Sequence, residues 1–260
     1  MEQNLNLLNI RRAIGVLYFT FGFAFSNLSA RIPELKNLYH AMGREIGCML
    51  LCAALGGLLA ASLLVSRWAS VRPKPLILTA SFTGSALLAV GTLLSIHWST
   101  FVLFFVYGMT DGTKEVIINQ LAVTLQKQYG KPIMSGFYAI YSFSLFCGAA
   151  AGALFETFLF PLFYQMVLVG VLCVSMVLFS LHYLPSQQMQ IEQDKALFTT
   201  PTTSKIILLL GVIAFCGMHT DSAMNDWSAL YTLQVIKTDQ ASAALSLAVL
   251  ALLAYLAREP

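Results

Sequence analysis

Of 260 residues, 58% are hydrophobic and only 10% are charged, whereas a soluble domain carries about 25% charged residues to wet its surface. That balance, with a mean hydropathy of +0.74, excludes an ordinary soluble globule, a disordered chain and a secreted disulfide framework. A net charge of +3, with basic residues at segment ends and not in a patch, excludes a nucleic-acid-binding surface. The class that remains is an all-α polytopic membrane protein in a lipid bilayer.

In chain order, Arg11-Arg12 precede a first apolar run over 13–30. That run is long enough for a hydrocarbon core of roughly 30 Å at about 1.5 Å per residue. No small-residue cleavage site precedes Arg31, so the run reads as an uncleaved first helix. Charges and prolines then separate seven further spans, over 46–65, 76–96, 98–125, 132–155, 162–184, 206–230 and 241–256. Residues 185–204 are the one long polar stretch and read as a cytoplasmic linker. It joins a six-helix domain, 1–184, to an incomplete second transmembrane domain of two helices, 205–260. Across this linker Gly15-Val16, Ser26, Ser29 and Ala30 are matched in spacing by Gly211-Val212, Ser222, Asn225 and Asp226. Such a match fits a second half that restarts the first.

Lys and Arg set the orientation. With the N-terminus inside, Arg11, Arg12, Arg67, Arg72, Lys74, Lys127, Lys131, Lys195, Lys205 and Arg258 fall on the inner side. Only Arg31, Lys36, Arg44 and Lys237 fall outside. This bias predicts a multi-pass protein of the plasma (inner) membrane with a cytoplasmic N-terminus.

The fourth span carries Asp111, Lys114 and Glu115 mid-run, where each charge costs at least about 2.5 kcal/mol on insertion scales. At about 100° per residue, Gly108, Asp111, Gly112, Glu115 and Asn119 share one stripe, and Lys114 points away from it. That stripe must face protein or water. Two carboxylates that can take up and release a proton suit a proton-coupled carrier; the structural alternative is a buried ion pair of Lys114 with one of them. The seventh span ends on His219, Asp226 and Trp227, with Ser222 beside them. Acids and an indole suit a polar solute, and an interfacial aromatic belt is the equal alternative. In the fifth span Ser144, Gly148 and Gly152 recur at steps of four, a spacing that permits close helix packing.

Enzyme chemistry finds no support. Cys48, Cys52, Cys147, Cys173 and Cys216 all lie in apolar runs without a CxxC pair, and His40, His97, His182 and His219 are scattered. No metal-ligand spacing, P-loop or nucleophile elbow occurs. The chain reads as a protein that is not an enzyme and needs no metal or cofactor.

Several blocks resemble the major facilitator superfamily, in its fucose-permease-like, sugar-transporter-like branch. They are Phe25-Ser26-Asn27-Leu28-Ser29-Ala30-Arg31-Ile32-Pro33, the stripe from Gly108 to Asn119, Tyr129-Gly130-Lys131-Pro132, and Asp226-Trp227-Ser228-Ala229-Leu230-Tyr231. The resemblance implies an alternating-access symporter of a small, sugar-like solute. It implies Glu115, with Asp111, as proton site, and Asn119, Asn27, Lys114, Asp226, Trp227 and His219 as solute contacts. The inner gating loop departs from the superfamily pattern, reading Ser66-Arg67-Trp68-Ala69-Ser70-Val71-Arg72-Pro73 and leaving Arg67 and Arg72 as its cations. The superfamily has twelve helices in two halves. The resemblance therefore implies truncation after about eight helices, with a second chain completing the bundle or a non-transporting remnant as the alternatives.

Overall fold

In hydrocarbon, backbone N–H and C=O groups have no water to bind, so each apolar run must close its hydrogen bonds as a helix. The computed structural model describes residues 2–67, 70–94, 98–184, 189–190 and 201–258. Their helices are α1 (Glu2–Ala30), α2 (Ile32–Leu38), α3 (Gly43–Arg67), α4 (Pro73–Gly91), α5 (Trp98–Tyr129), α6 (Met134–Thr157), α7 (Leu162–Leu181), α8 (Pro201–Gln234) and α9 (Gln240–Arg258). The chain is an all-α polytopic membrane protein. Among the described residues six helical segments are long and apolar enough to cross a membrane: Leu7–Ala30, Gly43–Leu64, Pro73–Gly91, Met134–Thr157, Leu162–Leu181 and Lys205–Gln234. The other two expected spans are also helical. α5 carries three charges at its middle, and the apolar part of α9 is the shorter Ser242–Leu253.

Two details differ from expectation. α1 begins at Glu2, well before residue 13, and the expected first outer loop contains the short helix α2. Pro33 explains the second, since proline is tolerated in a first helical turn, where its missing N–H has no partner to lose.

α1 packs against α6, α7 and α5; α3 lies on α5, and α4 sits between α5 and α7. α9 lies along α6, whereas α8 touches mainly α9 and the outer elements. Small residues set the tightest crossings. A Cβ on Gly148 of α6 would fall onto the Phe23 carbonyl of α1, and one on Gly152 would stand 2.8 Å from Ala30 Cβ. Steps of four therefore let the α1 and α6 backbones approach, as the spacing of Ser144, Gly148 and Gly152 predicts. The α3–α5 crossing uses the same device. A Cβ on Gly108 would strike the Ala53 carbonyl, and one on Gly112 would stand 2.7 Å from Gly57 Cα.

Two apolar clusters are the largest among the described residues. Ile14, Leu17, Tyr18, Ile117, Leu121, Phe137 and Val177 belong to one, and Ile32, Leu35, Tyr39, Ile46, Met49, Leu103, Phe104 and Leu162 to the other, toward the end of the bundle that carries α2. That end is tied by Arg31, 2% exposed, which pairs with Glu34 of α2 and Glu156 of α6. It also donates to the Phe160 carbonyl at 3.0 Å. Burial pushes the nearby Tyr39 phenol up to about 12, and its hydroxyl donates to the Gly91 carbonyl.

Between α5 and α6 Gln126 Oε1 accepts the Ile133 and Met134 amides at 2.9 and 3.1 Å. These are among the N–H groups that a helix start leaves without partners. Gly130, at φ +64°, makes the preceding turn, a conformation glycine adopts without a Cβ clash. A two-residue ladder pairs β1 (Ser70–Val71) with β2 (Met189–Gln190) antiparallel, a feature without a counterpart in the sequence reading. Most of the expected linker, 185–188 and 191–200, lies outside the described residues, as do Trp68 and Ala69 of the gating loop. α8 begins at Pro201, within the expected linker.

Candidate functional site

The polar stripe of α5 opens onto a large cavity of about 520 Å³, walled by α1, α2, α3, α5 and α8. Gly108, Asp111, Gly112 and Glu115 line it from α5; Phe25, Leu28 and Ser29 come from α1, and Ser222 and Asp226 from α8. Helical periodicity explains the α5 set, since residues at i, i+3, i+4 and i+7 share a face. The rest of the wall is largely apolar, with Ile46, Met49, Leu50 and Ala53 from α3 and Phe104 and Tyr107 from α5. A volume of this size suits a small organic solute.

Lys114 turns to the other side of α5. Its Nζ lies 2.8 Å from Asp111 Oδ1 and 5.5 Å from the Phe21 ring centroid. It lines a separate small cavity with Thr20, Ser81, Ser85 and Cys173. Asp111 is thus shared: it lines the large cavity while bound to a cation on the far side. Glu115 is exposed to the large cavity. Among the described residues neither Glu115 nor Asp226 makes an ion pair.

The remaining sequence candidates stand elsewhere. Asn119 is on the α5 stripe but one turn beyond Glu115, where its Oδ1 accepts the Tyr18 hydroxyl at 2.6 Å. Asn27 is fully buried between helices; it donates to the Gly148 carbonyl at 3.3 Å and accepts from Gln165 Nε2 at 2.9 Å. Neither is among the residues walling the large cavity. Trp227 packs beside Gly47 of α3, within 3.7 Å of where a Cβ would stand. His219 stacks on Phe215 of its own helix, ring centroids 6.0 Å apart, on an exposed face of α8. Arg72 precedes the first turn of α4 and is exposed. Arg67 is the last residue of α3, and its side chain lies outside the described residues. The structure therefore brings together Asp111, Glu115 and Asp226 around one cavity, with Lys114 behind it.

Sequence reasoning missed the buried Gln165 and the aromatic lining by Phe25, Phe104 and Tyr107. Gln165 alone carried a signal, as an amide in the otherwise apolar run of α7. An amide is costly in hydrocarbon unless it finds a partner.

The cavity is lined by ionisable groups and walled by apolar helices, and the chain is similar to proteins named as transporters. The chain is 25% identical over 92% of its length to an uncharacterized transporter, y4wD, of Sinorhizobium fredii. It is 25% identical over 86% of its length to an uncharacterized MFS-type transporter of Yersinia pestis, and 27% identical over 88% to the membrane protein MosC of Rhizobium meliloti. Two of these relatives are thus named as transporters, one of them as MFS-type, and the third as a membrane protein. The chain spans 63%, 58% and 55% of those relatives' own lengths. No family model matches the chain, and no solved structure matches it.

Proposed function

We propose that the protein is a secondary transporter that moves a small polar solute by alternating access, coupled to protons through Glu115. The observation that carries this reading is the cavity itself, where Glu115 is exposed without an ion-pair partner while Asp111 is neutralised by Lys114. An intramembrane carboxylate facing a water-sized space costs several kcal/mol unless it serves transport or finds a partner. Glu115 is the coupling residue because its protonation changes the cavity charge without breaking the Asp111–Lys114 pair. The sugar-like character of the solute, the symport direction, the inner-membrane location and the division at residues 184 and 205 rest on the resemblance and on the charge distribution.

The test is uptake by purified protein in proteoliposomes with an imposed pH gradient. Glu115→Gln abolishes gradient-driven accumulation and leaves exchange of solute down its own gradient in place. Accumulation at the wild-type rate by Glu115→Gln overturns the coupling assignment.

A further inference from the structure

The walls of the large cavity allow its charge to be tallied. Among the described residues three carboxylates line it, those of Asp111, Glu115 and Asp226, and no lysine, arginine or histidine does. Lys114 compensates Asp111 alone, from behind the wall. Arg31, the buried cation toward the outer end, is committed to Glu34, Glu156 and the Phe160 carbonyl. His219 stacks on Phe215 outside the cavity wall. Among the described residues, two negative charges on different walls, α5 and α8, thus face the cavity uncompensated.

The remainder of the wall does not resemble a site for a neutral polyol. Each hydroxyl of a sugar needs a donor or acceptor, since a buried unpaired hydroxyl loses its hydration without return. Apart from the three acids, the polar side chains on offer are the hydroxyls of Ser29, Tyr107 and Ser222. Aliphatic side chains and the rings of Phe25, Phe104 and Tyr107 supply the rest, the last two in edge contact with centroids 6.5 Å apart. Aromatic faces attract cations through the ring quadrupole, and carboxylates in a poorly hydrated space attract them more strongly than in water.

Resting on the transporter reading above, we propose that the solute is an organic cation, a protonated amine on a compact body with apolar surface. The ammonium group lies between Glu115 and Asp226, and the body lies against the aromatic and aliphatic wall. Glu115 then binds the ammonium or a proton in alternation, which makes the coupling a cation–proton exchange in place of symport, whereas Asp226 contributes to cation affinity alone.

The charge is tested with an isosteric series on the purified full chain in nanodiscs: benzylammonium, benzyl alcohol and benzoate, with methyl glucopyranoside as the neutral sugar. Benzylammonium is expected to bind roughly tenfold or more tightly than benzyl alcohol, with benzoate weaker still. Asp226→Asn and Glu115→Gln each reduce benzylammonium affinity about tenfold and leave benzyl alcohol unchanged. If one variant fails to fold, the other still decides. Equal affinity for the cation and the alcohol, preference for the sugar, insensitivity to both substitutions, or no binding of any probe each overturns the proposal. Uptake by the same protein in proteoliposomes separates the two readings. Gradient-driven uptake of the neutral sugar without preference for the amine sinks the cation assignment and keeps the carrier. Selective amine binding without uptake keeps the cation site and sinks the carrier.

Discussion

Arg31 holds three chain segments together, and its partner Glu34 makes that clasp sensitive to protons. Glu34 sits above its ordinary value of 4.5, first because of burial, with Glu156 adding to the rise and the Arg31 guanidinium opposing it. The folded protein therefore binds this proton more tightly than the unfolded chain does. Its contribution to stability is present in acid and fades as pH rises through the raised value. The melting temperature should carry a downward slope as pH rises above the ordinary value of 4.5, and Glu34→Gln, neutral throughout, makes it shallower. An unchanged slope in the variant assigns the pH dependence elsewhere. Asn27 offers a second residue-scale test. Either Asn27→Leu or Gln165→Leu alone strands a buried polar partner and should lower stability by about 1 kcal/mol, while the double substitution costs less than the sum. Strict additivity in that cycle, read from unfolding in detergent, removes the pair as a structural unit. Periodicity made the α5 stripe legible because it fixes which residues share a face. The bonds of Asn119 to Tyr18 and of Arg31 to Glu156 were not legible, because helix partners across the bundle leave no mark in local spacing.

At the scale of elements, glycine placement decides which helices touch. The spacing in α6 announced close packing, and α1 is the partner that fills the groove. Gly108 and Gly112 of α5 were legible only in part. Their small size reads equally well as a cavity face or as a helix crossing, and the structure uses them for both. Gly148→Leu must push the α1 backbone away, since its first added carbon already meets the Phe23 carbonyl. Overpacking of this kind costs about 1–3 kcal/mol, visible as a lower unfolding temperature in detergent. Gly211→Leu on α8 is the matched control, because nothing lies within 4 Å of its Cβ position. That substitution should leave stability unchanged or slightly raised by helix propensity. Equal losses from both would mean that the α1–α6 contact does not govern the effect.

Taken whole, the molecule has two unlike parts. From α1 to α7 the helices bury one another's faces, whereas α8 exposes Ile206, Leu208, Leu209, Val212, Ile213 and Phe215 on its flanks. A helix apolar on all sides belongs in lipid or against further helices, and the chain spans no more than 63% of the length of the relatives named above. The positions of the eight expected helices were legible because hydrocarbon thickness sets a length that charges and prolines then punctuate, and among the described residues six of them are long and apolar enough to cross a membrane. The bare flank of α8 was not, since hydropathy is blind to which apolar faces find partners. Side-to-side consistency supports the expected orientation. The ladder joins the α3–α4 loop to the segment after α7, and Arg31 joins the ends of α1 and α6. Two opposite ends of the bundle follow, with Lys127 and Lys131 at the ladder end if the helices alternate. The positive-inside bias assigns that end to the cytoplasm. In a cysteine-free background, Lys131→Cys should react with a membrane-impermeant maleimide only in inverted vesicles, and Lys237→Cys only in right-side-out vesicles. The reverse pattern inverts the topology, and reaction of both residues from one side breaks the alternation itself. Inversion would also turn the Arg31 clasp toward the cytoplasm, where Glu34 meets a buffered pH and its proton dependence has no gradient to sense.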